Sequence, residues 1–250
     1  MDVTESRGES WLTVAIDRPA VRNALRTSTL VGLESALDTA EREPAVKAVI
    51  LTGGPEFFCA GVDLKEVTAQ DPAQDSVAAT ARLRQVHRLV ERLRTFPKPT
   101  VAAVEGYAIG IGFALVLACD LVTASRTAYF AHPSAQAGML ADGGLVRDLH
   151  RLVGYRRTLD LLLRRKRLTA TEAVDHGLVN ELSEPGASLA AAESVVREFA
   201  DLSPEVLFGL KALAASDFTT HETTVIASLK RTTSAQARQR FLSGERFFGE

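Results

Sequence analysis

The feature that most limits the fold of this chain is the stretch of residues 98–120, which reads KPTVAAVEGYAIGIGFALVLACD. It opens with an apolar run at residues 100–104 that is bounded by turn-forming residues, and this pattern predicts a buried strand. Three glycines follow at 106, 110 and 112, and the apolar residues 113–118 predict a helix. A strand, a glycine-rich turn and a buried helix in this order can aim backbone N–H groups at a negative group. The first N–H groups of a helix have no partner within it, and the helix dipole is positive there.

Two interpretations of these glycines are open from the residues alone. Glycine lets a ligand approach the backbone closely, and that ligand would be a phosphate or an oxyanion formed during a reaction. Alternatively, the small residues Gly110, Gly112 and Ala114 let a buried helix pack tightly against a sheet. The stretch is neither a phosphate-binding loop ending in Gly-Lys-Ser/Thr nor a GxGxxG dinucleotide turn. The rest of the chain has to decide between packing and chemistry.

The overall composition argues against several classes of protein. The chain has 250 residues, of which 46% are hydrophobic, and this predicts one large domain or two small ones with a substantial core. The net charge of −2 gives no basis for nucleic-acid binding. No apolar run reaches the roughly 20 residues that a membrane span needs. Cys59 and Cys119 make neither a metal cluster nor a disulfide framework, and the polar N-terminus is unlike a signal peptide, so we expect a cytoplasmic protein without a metal.

Hydrophobic periodicity predicts strands alternating with helices along most of the chain. The predicted strands lie at residues 11–16, 46–52, 121–124, 128–131 and 178–180, and the predicted helices at 28–41, 83–93, 155–165 and 169–177. Residues 66–80 are polar and aperiodic, which predicts a mobile loop. From residue 189 onward the chain is predicted to be helical. This order suggests a stacked β/α spiral followed by a helical tail.

Four motifs in this chain resemble those of the crotonase superfamily, which is the enoyl-CoA hydratase/isomerase family. They are Arg18-Pro19-x-x-x-Asn23-Ala24-Leu25, then Phe58-Cys59-Ala60-Gly61-Val62-Asp63-Leu64, then the glycine-rich stretch ending Ala118-Cys119-Asp120, and finally Leu168-Thr169-Ala170-x-Glu172-Ala173-x-x-x-Gly177-Leu178-Val179. They occur in order and at similar spacing over essentially the whole chain.

This resemblance implies an α/β fold with a crotonase-type ββα spiral core and a C-terminal helical trimerisation region. The core would span residues 1–188 and hold the acyl-CoA site, and residues 189–250 would form the helical region of a homotrimer or a dimer of trimers. The resemblance also implies a coenzyme A thioester as the substrate, with no separate cofactor, and no nucleic-acid or membrane partner.

The resemblance assigns the thioester oxygen to two backbone N–H groups, those of Val62 and Ile111. Ile111 replaces the glycine or alanine usual at its position, which would narrow the pocket but keep the donor. Arg22 and Lys65 match positions that often carry basic residues near the CoA phosphates; the alternative is ordinary solvated surface charge. The remaining residues that the resemblance places against substrate or CoA are Ala60, Asp63, Leu64, Gly110 and Ser134.

One departure from the family pattern bears on the reaction. Enoyl-CoA hydratases use two glutamates to position and deprotonate water. The first belongs four residues after Gly110, where this chain has Ala114, and the second belongs just after Pro133, where this chain has Ser134. An ordinary two-glutamate hydratase mechanism is therefore disfavoured.

Asp142, in the segment Gly-Met-Leu-Ala-Asp-Gly-Gly, is the remaining candidate acid–base group. The segment resembles that of ring-1,2-epoxyphenylacetyl-CoA isomerase-like members and matches an aspartate of dienoyl-CoA isomerases. One base beside an oxyanion hole suffices for a 1,3-proton shift. From the residues alone, Asp142 is equally consistent with a helix N-cap or an Asp-Gly turn.

His87 matches a catalytic histidine of 4-chlorobenzoyl-CoA dehalogenase, in which Asp142 would correspond to the nucleophile. The alternative is a core histidine, because the periodicity places His87 on the apolar side of its helix. His132 precedes the strand-end proline, and the sequence suggests no role for it. We therefore expect an enoyl-CoA isomerase. The alternatives are a CoA-thioester hydrolase or dehalogenase that uses Asp142 and His87, and a non-catalytic acyl-CoA-binding protein.

Overall fold

The glycine-rich stretch joins two β-sheets in the computed structural model, which describes residues 2–68, 76–133, 135 and 140–215. The larger sheet has six strands in the order β1-β2-β3-β4-β6-β9. These strands are β1 (Val3–Arg7), β2 (Trp11–Ile16), β3 (Ala48–Thr52), β4 (Thr100–Val104), β6 (Leu121–Ser125) and β9 (Glu181–Ser183). Only the β1–β2 pair is antiparallel. Every residue of β3 and β4 is buried, as expected for parallel strands covered on both faces.

The smaller sheet carries the turn that the glycines form. It contains β5 (Tyr107–Ile109), β7 (Tyr129–Ala131) and β8 (Leu168–Thr169), in the order β5-β7-β8. β5 and β7 are parallel, with Ile109 opposite Ala131, and β7 and β8 are antiparallel. The chain leaves β4, crosses to this sheet at Gly106, and enters a buried helix directly after β5.

Eight α-helices lie among the described residues. They are α1 (Thr27–Arg42), α2 (Leu64–Thr68), α3 (Ser76–Arg94), α4 (Ile111–Ala118), α5 (Leu145–Leu163), α6 (Ala170–Asp175), α7 (Ser188–Phe199) and α8 (Pro204–Ala215). Gly154 interrupts α5 with a non-helical backbone, φ 77° and ψ 168°. Because the Thr169 hydroxyl caps the Glu172 N–H while the Glu172 carboxylate reaches back to Thr169, α6 begins where the sequence predicts.

The last residue of the stretch 98–120 is hydrogen-bonded to the beginning of the stretch. The Asp120 carboxylate accepts hydrogen bonds from the Thr100 N–H at 2.7 Å and from the Thr100 hydroxyl at 2.9 Å. This pair ties the end of α4 to the start of β4, so that strand, turn and helix form one unit. The predicted strand at 100–104 and the predicted helix after the glycines are both confirmed.

Several predicted elements have different limits in the structure. The predicted limits of the loop at residues 66–80 are wrong. Helix α2 extends to Thr68, and helix α3 already begins at Ser76. Residues 69–75 lie outside the described residues. The alanine-rich start of α3 has high helix propensity, which outweighs its lack of apolar periodicity. The predicted strand at 178–180 is also wrong, since the strand begins at Glu181.

His87 is exposed, so the interpretation of His87 as a core histidine is wrong. The buried side of α3 is formed by Val86, Leu89, Val90 and Leu93. His87 follows Val86 directly, and neighbouring residues in a helix point about 100° apart. The hydrophobic periodicity predicted that Val86 and His87 both lie on the apolar side of α3. The apolar stripe in the structure is narrower than predicted and does not include His87.

The chain divides into two compact units, residues 1–198 and 199–250. The first contains both sheets and helices α1 to α6, with α7 up to Glu198. In the second unit the described helix is α8, where Leu207 is buried while Phe208 and Leu210 are exposed. The functional division at residue 188, with a trimerisation region after it, stays a prediction.

Candidate active site

Gly61 and Gly110 meet where the segment after β3 runs beside β5. The Cys59 N–H donates to the Tyr107 carbonyl at 3.1 Å, and the Ile109 N–H donates to the Cys59 carbonyl at 2.9 Å. A Cβ atom on Gly61 would lie 2.8 Å from the Ile109 carbonyl oxygen and 3.8 Å from Gly110 Cα. Both glycines have positive φ, +94° and +58°, which L-residues rarely adopt. The two backbones touch because neither position carries a side chain.

The residues that follow these two glycines present their N–H groups at this point. Leu25 pairs with Val62 through bonds to the Gly61 carbonyl and from the Asp63 N–H, which leaves the Val62 N–H directed away from Leu25. Ile111 is the first residue of α4, so its N–H has no partner within the helix. Among the described residues, neither N–H has an acceptor. We call the Val62 and Ile111 N–H groups the donor pair.

Asn23 holds the Gly61 side of the donor pair in place. Its buried side-chain amide donates toward the carbonyls of Gly53, Phe57 and Phe58, at 2.6, 3.2 and 3.2 Å, and its Oδ1 accepts the Arg18 N–H at 2.8 Å. One buried amide therefore ties together the end of β3, the loop before Cys59 and the turn before α1. This is the structural reason for an asparagine in the Arg18-to-Leu25 motif.

The packing interpretation of the glycines also holds at one position. A Cβ atom on Gly112 would lie 2.7 Å from Cys59 Cβ and 2.8 Å from the Cys59 carbonyl oxygen. Gly112 is therefore small because α4 packs directly on the Cys59 segment. Burial raises the pKa of the Cys59 thiol to about 12, so Cys59 acts as a packing residue and not as a thiolate. Gly110 has no such contact, and its requirement is conformational.

Asp142 begins a tight turn that leads into α5. The Leu145 N–H donates to the Asp142 carbonyl at 3.2 Å, and Gly143 and Gly144 have φ values of +61° and +77°. Gly144, not Asp142, occupies the N-cap position of α5, and no side chain caps that helix. The Asp-Gly turn predicted as an alternative is therefore present, whereas the predicted N-cap role is wrong. The turn leaves the carboxylate available for another role.

This turn packs against the start of α4. A Cβ atom on Gly143 would lie 3.1 Å from Ala114 Cβ, 3.6 Å from Ile111 Cδ1 and 3.6 Å from Val90 Cγ2. The residue after Asp142 thus touches the side chain of one member of the donor pair. It also touches Ala114, the position at which a hydratase of the family pattern would carry its first glutamate.

Three ionisable side chains, His132, His87 and Arg82, act electrostatically on Asp142, and we call these four residues the Asp142 cluster. Burial raises the pKa of Asp142, while a hydrogen bond from its own N–H and the charges of the two histidines and Arg82 oppose the rise. Burial lowers the pKa of His132, and the charge of Asp142 opposes that change. The partly desolvated carboxylate is thus shifted toward the range in which a base is useful.

A backbone hydrogen bond between the glycine-rich turn and the end of β7 places His132 beside that turn. His132 follows β7 directly, and the Gly110 N–H donates to the carbonyl of the preceding Ala131 at 3.0 Å. The side chain is buried, with 6% of its surface exposed. No role for His132 was predicted from the sequence, and Arg82 was not among the predicted site residues. The available signal was that His132 lies two residues before the strand-end position at which the family carries a glutamate.

The residues predicted to bind CoA lie along one edge of the motif that surrounds Gly61, which we call the Gly61 segment. The Arg22 carbonyl accepts the Ala60 N–H at 3.0 Å, and the exposed Arg22 side chain hydrogen-bonds to Tyr107. Leu64 and Lys65 are exposed at the start of α2. The Asp63 carboxylate is half-buried and pairs with Arg18 at 3.0 Å.

Asp63 also organises the start of α2. Burial opposes ionisation of Asp63, but hydrogen bonds from Arg18 and from the Lys65 N–H hold its pKa below the usual value. This carboxylate therefore fixes the loop around Val62. Ser134, the other predicted substrate contact, lies outside the described residues. All the CoA-binding assignments stay predictions.

The fold brings together two backbone N–H groups that have no acceptor among the described residues, an arrangement suited to binding an oxyanion. The sequence profile described as "Enoyl-CoA hydratase/isomerase" matches residues 6–248. The chain belongs to the enoyl-CoA hydratase/isomerase family, and the resemblance to the crotonase superfamily is confirmed.

Similar proteins agree with this membership. The 2,3-dehydroadipyl-CoA hydratase of Escherichia coli is 34% identical over 206 residues, which are 82% of this chain and 78% of the relative. The enoyl-CoA hydratase EchA19 of Mycobacterium tuberculosis is 34% identical over 190 residues, or 76% and 71% of the two chains. The crystal structure of an enoyl-CoA hydratase from Polaromonas sp. JS666 superposes with a TM-score of 0.89 at 28% identity and covers 96% of each chain.

Two further features are absent from the described residues. No helix among them is long and apolar enough to cross a membrane. Within the same residues, no group of three or more His, Cys, Asp or Glu side chains is arranged to hold a metal ion.

Proposed function

We propose that this protein is an acyl-CoA isomerase that moves a double bond by a 1,3-proton shift. The donor pair would bind the thioester oxygen and hold the negative charge that develops on it. Asp142 would take a proton from a carbon of the acyl group and return it at the other end of the resulting dienolate. Atoms and charge balance within the substrate and one carboxylate, so no cofactor or water is consumed.

The observation that carries this proposal is the contact of the Asp142 turn with the donor pair. Gly143 lies against Ile111, and Asp142 directly precedes it with its pKa raised by burial. An oxyanion at the donor pair would therefore form beside a carboxylate that is poised to exchange a proton. A removed oxyanion donor typically costs about 3 kcal/mol of transition-state stabilisation, so both parts contribute substantially.

Ala114 supports isomerisation over two-glutamate hydration. The similar proteins are named hydratases, whereas this chain has a buried alanine at the first glutamate position and Ser134 at the second. A Cβ atom on Gly143 would lie 3.1 Å from Ala114 Cβ, so the Asp142 turn packs close to position 114. A chain with one carboxylate beside the donor pair lacks the pair of groups that would position and activate water.

A second candidate, a CoA-thioester hydrolase or dehalogenase, rests on His87. Its charge lowers the pKa of Asp142, so the two groups lie within electrostatic reach. In a dehalogenase Asp142 would attack the aryl carbon, release the halide and form an aryl ester, whereas in a hydrolase it would attack the thioester carbon, release the CoA thiolate and form a mixed anhydride. His87 would activate the water that hydrolyses either intermediate and regenerates the carboxylate. The third candidate, an acyl-CoA-binding protein without catalysis, would use the donor pair alone.

Asp142→Asn separates these candidates. The amide keeps the shape but cannot take up a proton, so isomerisation of a 3-enoyl-CoA should fall by about 10²- to 10⁴-fold with acyl-CoA affinity retained. Asp160→Asn, which changes an aspartate on α5 that is partly exposed and paired with Arg164 and Lys166, is the matched control. Turnover of the 3-enoyl-CoA is compared with water addition to a 2-enoyl-CoA, and rapid quench tests for a trapped ester. Faster hydration than isomerisation, or an ester on Asp142, would contradict the proposal.

Binding of CoA itself is tested separately from the reaction. Arg22 and Lys65, both exposed beside the Gly61 segment, support a site for the CoA phosphates. Calorimetric titration with acetyl-CoA should show binding that weakens as salt is added, because such contacts are screened. An absence of binding at millimolar ligand would remove the basis for all three candidates.

We also propose a homotrimer or a dimer of trimers. Large apolar side chains are exposed on α5 and α8, including Tyr155, Leu163, Phe208 and Leu210. A single chain rarely exposes so many, which supports their burial against other copies. Sedimentation of a monomer at micromolar concentration would contradict this proposal.

A further inference from the structure

Arg82 lies on the stripe of α3 that faces the Asp142 turn. Val86 and Val90 follow it at intervals of four residues, so the three side chains share one face of the helix. Val86 and Val90 are 4% and 1% exposed, and Val90 contacts the Gly143 position. Arg82 lies about two helical turns from Val90 on the same face of α3. It therefore extends the surface that packs beside the Asp142 turn.

The Arg82 guanidinium has a buried N–H group without an acceptor. Its Nε is inaccessible to solvent and has no hydrogen-bond partner within the described part of the chain. Other arginines of the same helix differ: Arg92 pairs with Asp38 and Glu41, and Arg94 pairs with Glu91 and Asp148. A buried N–H left unpaired on a charged group is costly, and natural proteins rarely retain one without a reason.

Asp142 does not supply the missing acceptor. Arg82 lowers the pKa of Asp142 through its charge, with no hydrogen bond between the two side chains. The guanidinium is thus near enough to influence the reacting region while its Nε edge remains without an acceptor among the described residues. That edge is one of the two at which a guanidinium holds a carboxylate by two parallel hydrogen bonds.

We infer that Arg82 recognises a second carboxylate at the far end of the acyl group, so that the substrates are CoA thioesters of dicarboxylic acids. The inference rests on the proposed function only in placing the acyl group beside Asp142, and it holds for any reaction there. The thioester oxygen lies at the donor pair, the reacting carbons lie at Asp142, and the chain continues along the α3 stripe to Arg82.

The test compares matched acyl-CoA ligands by calorimetry. Succinyl-, adipyl- and suberyl-CoA each have a monocarboxylic partner of equal length, namely butyryl-, hexanoyl- and octanoyl-CoA. At least one diacid should bind the wild-type protein about 10- to 100-fold more tightly than its partner, as a charged hydrogen-bonded pair provides. Arg82→Met should abolish this preference and leave the affinity for the monoacid unchanged.

Arg84→Met is the matched control, because Arg84 is exposed on the same helix. It should keep the preference for the diacid. Unchanged binding of the monoacid by Arg82→Met shows that the variant is folded; if it is not, the comparison in the wild-type protein decides alone. Equal affinities for every pair, or a preference that survives Arg82→Met, overturn the inference but not the proposed function. Binding of no acyl-CoA at all overturns both.

Discussion

The donor pair and the Asp142 cluster lie side by side but are built in opposite ways. The donor pair consists of backbone N–H groups held by hydrogen bonds between Cys59 and β5 and by the Asn23 amide. The Asp142 cluster consists of side chains from α3, from the end of β7 and from the turn before α5. The donor pair depends on the path of the backbone, whereas the Asp142 cluster depends on the identity of its side chains.

This difference predicts where the chain tolerates change. Val62 and Ile111 can vary in side chain as long as the glycines before them keep their conformation. In the Asp142 cluster the ionisable groups themselves would carry the chemistry, so exchanging them should change it. That contrast explains how the fold can keep the donor pair whatever side chain stands at position 114.

Among the variants that test the backbone side of this comparison, the largest expected effect comes from Gly61→Ala. The new Cβ would lie 2.8 Å from the Ile109 carbonyl oxygen, and φ is +94° there, so the Gly61 segment must move and misplace the Val62 N–H. Isomerase activity should fall by about 10²- to 10³-fold, as for loss of one oxyanion donor. Val62→Ala, which keeps the backbone, should stay close to the wild-type rate. Equal losses in both variants would show that the site uses the Val62 side chain.

Asn23→Ala should be the next largest effect, and it acts on stability. Removing the buried amide leaves the Gly53, Phe57 and Phe58 carbonyls without that donor and should cost about 2 kcal/mol in the free energy of unfolding. Urea denaturation measures this cost. Asn180→Ala is the control, because exposed Asn180 accepts one bond, from the Val122 N–H, and should cost less than about 1 kcal/mol. Similar costs would contradict a special role for Asn23.

The pH dependence of stability should distinguish Asp142 from an ordinary surface aspartate. Its pKa is raised in the folded state, so its protonated form favours folding at acid pH, and that contribution is lost as the pH rises through the folded pKa. Asp142→Asn should therefore be more stable than the wild type at neutral pH, with the difference vanishing at acid pH. The measurement is the urea midpoint as a function of pH.

Asp160→Asn should show the opposite sign in that experiment. Hydrogen bonds from Lys166 and Arg164 lower the pKa of Asp160, so its contribution is present at neutral pH and is lost as the pH falls through the folded pKa. This variant should be less stable than the wild type at neutral pH. The same sign in both variants would mean that Asp142 is not desolvated.

The smallest effect expected is that of His87→Gln on the pH–rate profile. Activity should rise with pH as Asp142 loses its proton, and the charge of His87 lowers the pKa of Asp142. Without that charge the acid limb should move to higher pH, and added salt should reduce the movement because His87 is exposed. Loss of the maximal rate instead of a shifted limb would favour the hydrolase mechanism.

The sequence by itself determined the local parts of this protein. The apolar run of β4, the glycine-rich turn, the buried α4 and the Thr169 capping box are confirmed, because each depends on neighbouring residues and on a short period of hydrophobicity. The resemblance of four motifs also identified the family correctly. The sequence left two structural interpretations of Asp142, a helix cap and a turn. The structure excludes the cap, because Gly144 occupies the N-cap position of α5.

Only the tertiary structure decided which of these parts meet. Gly61 touches Gly110, Asn23 reaches Gly53 and Phe58, and Val90 lies against Gly143. Each of these contacts joins residues about 30 or more positions apart in the chain, and hydrophobic periodicity carries no information at that range. The exposure of His87, the burial of His132 and the unpaired Nε of Arg82 follow from the same packing. A side chain's partner and solvation are set by the elements packed against it, which the sequence near that side chain does not specify.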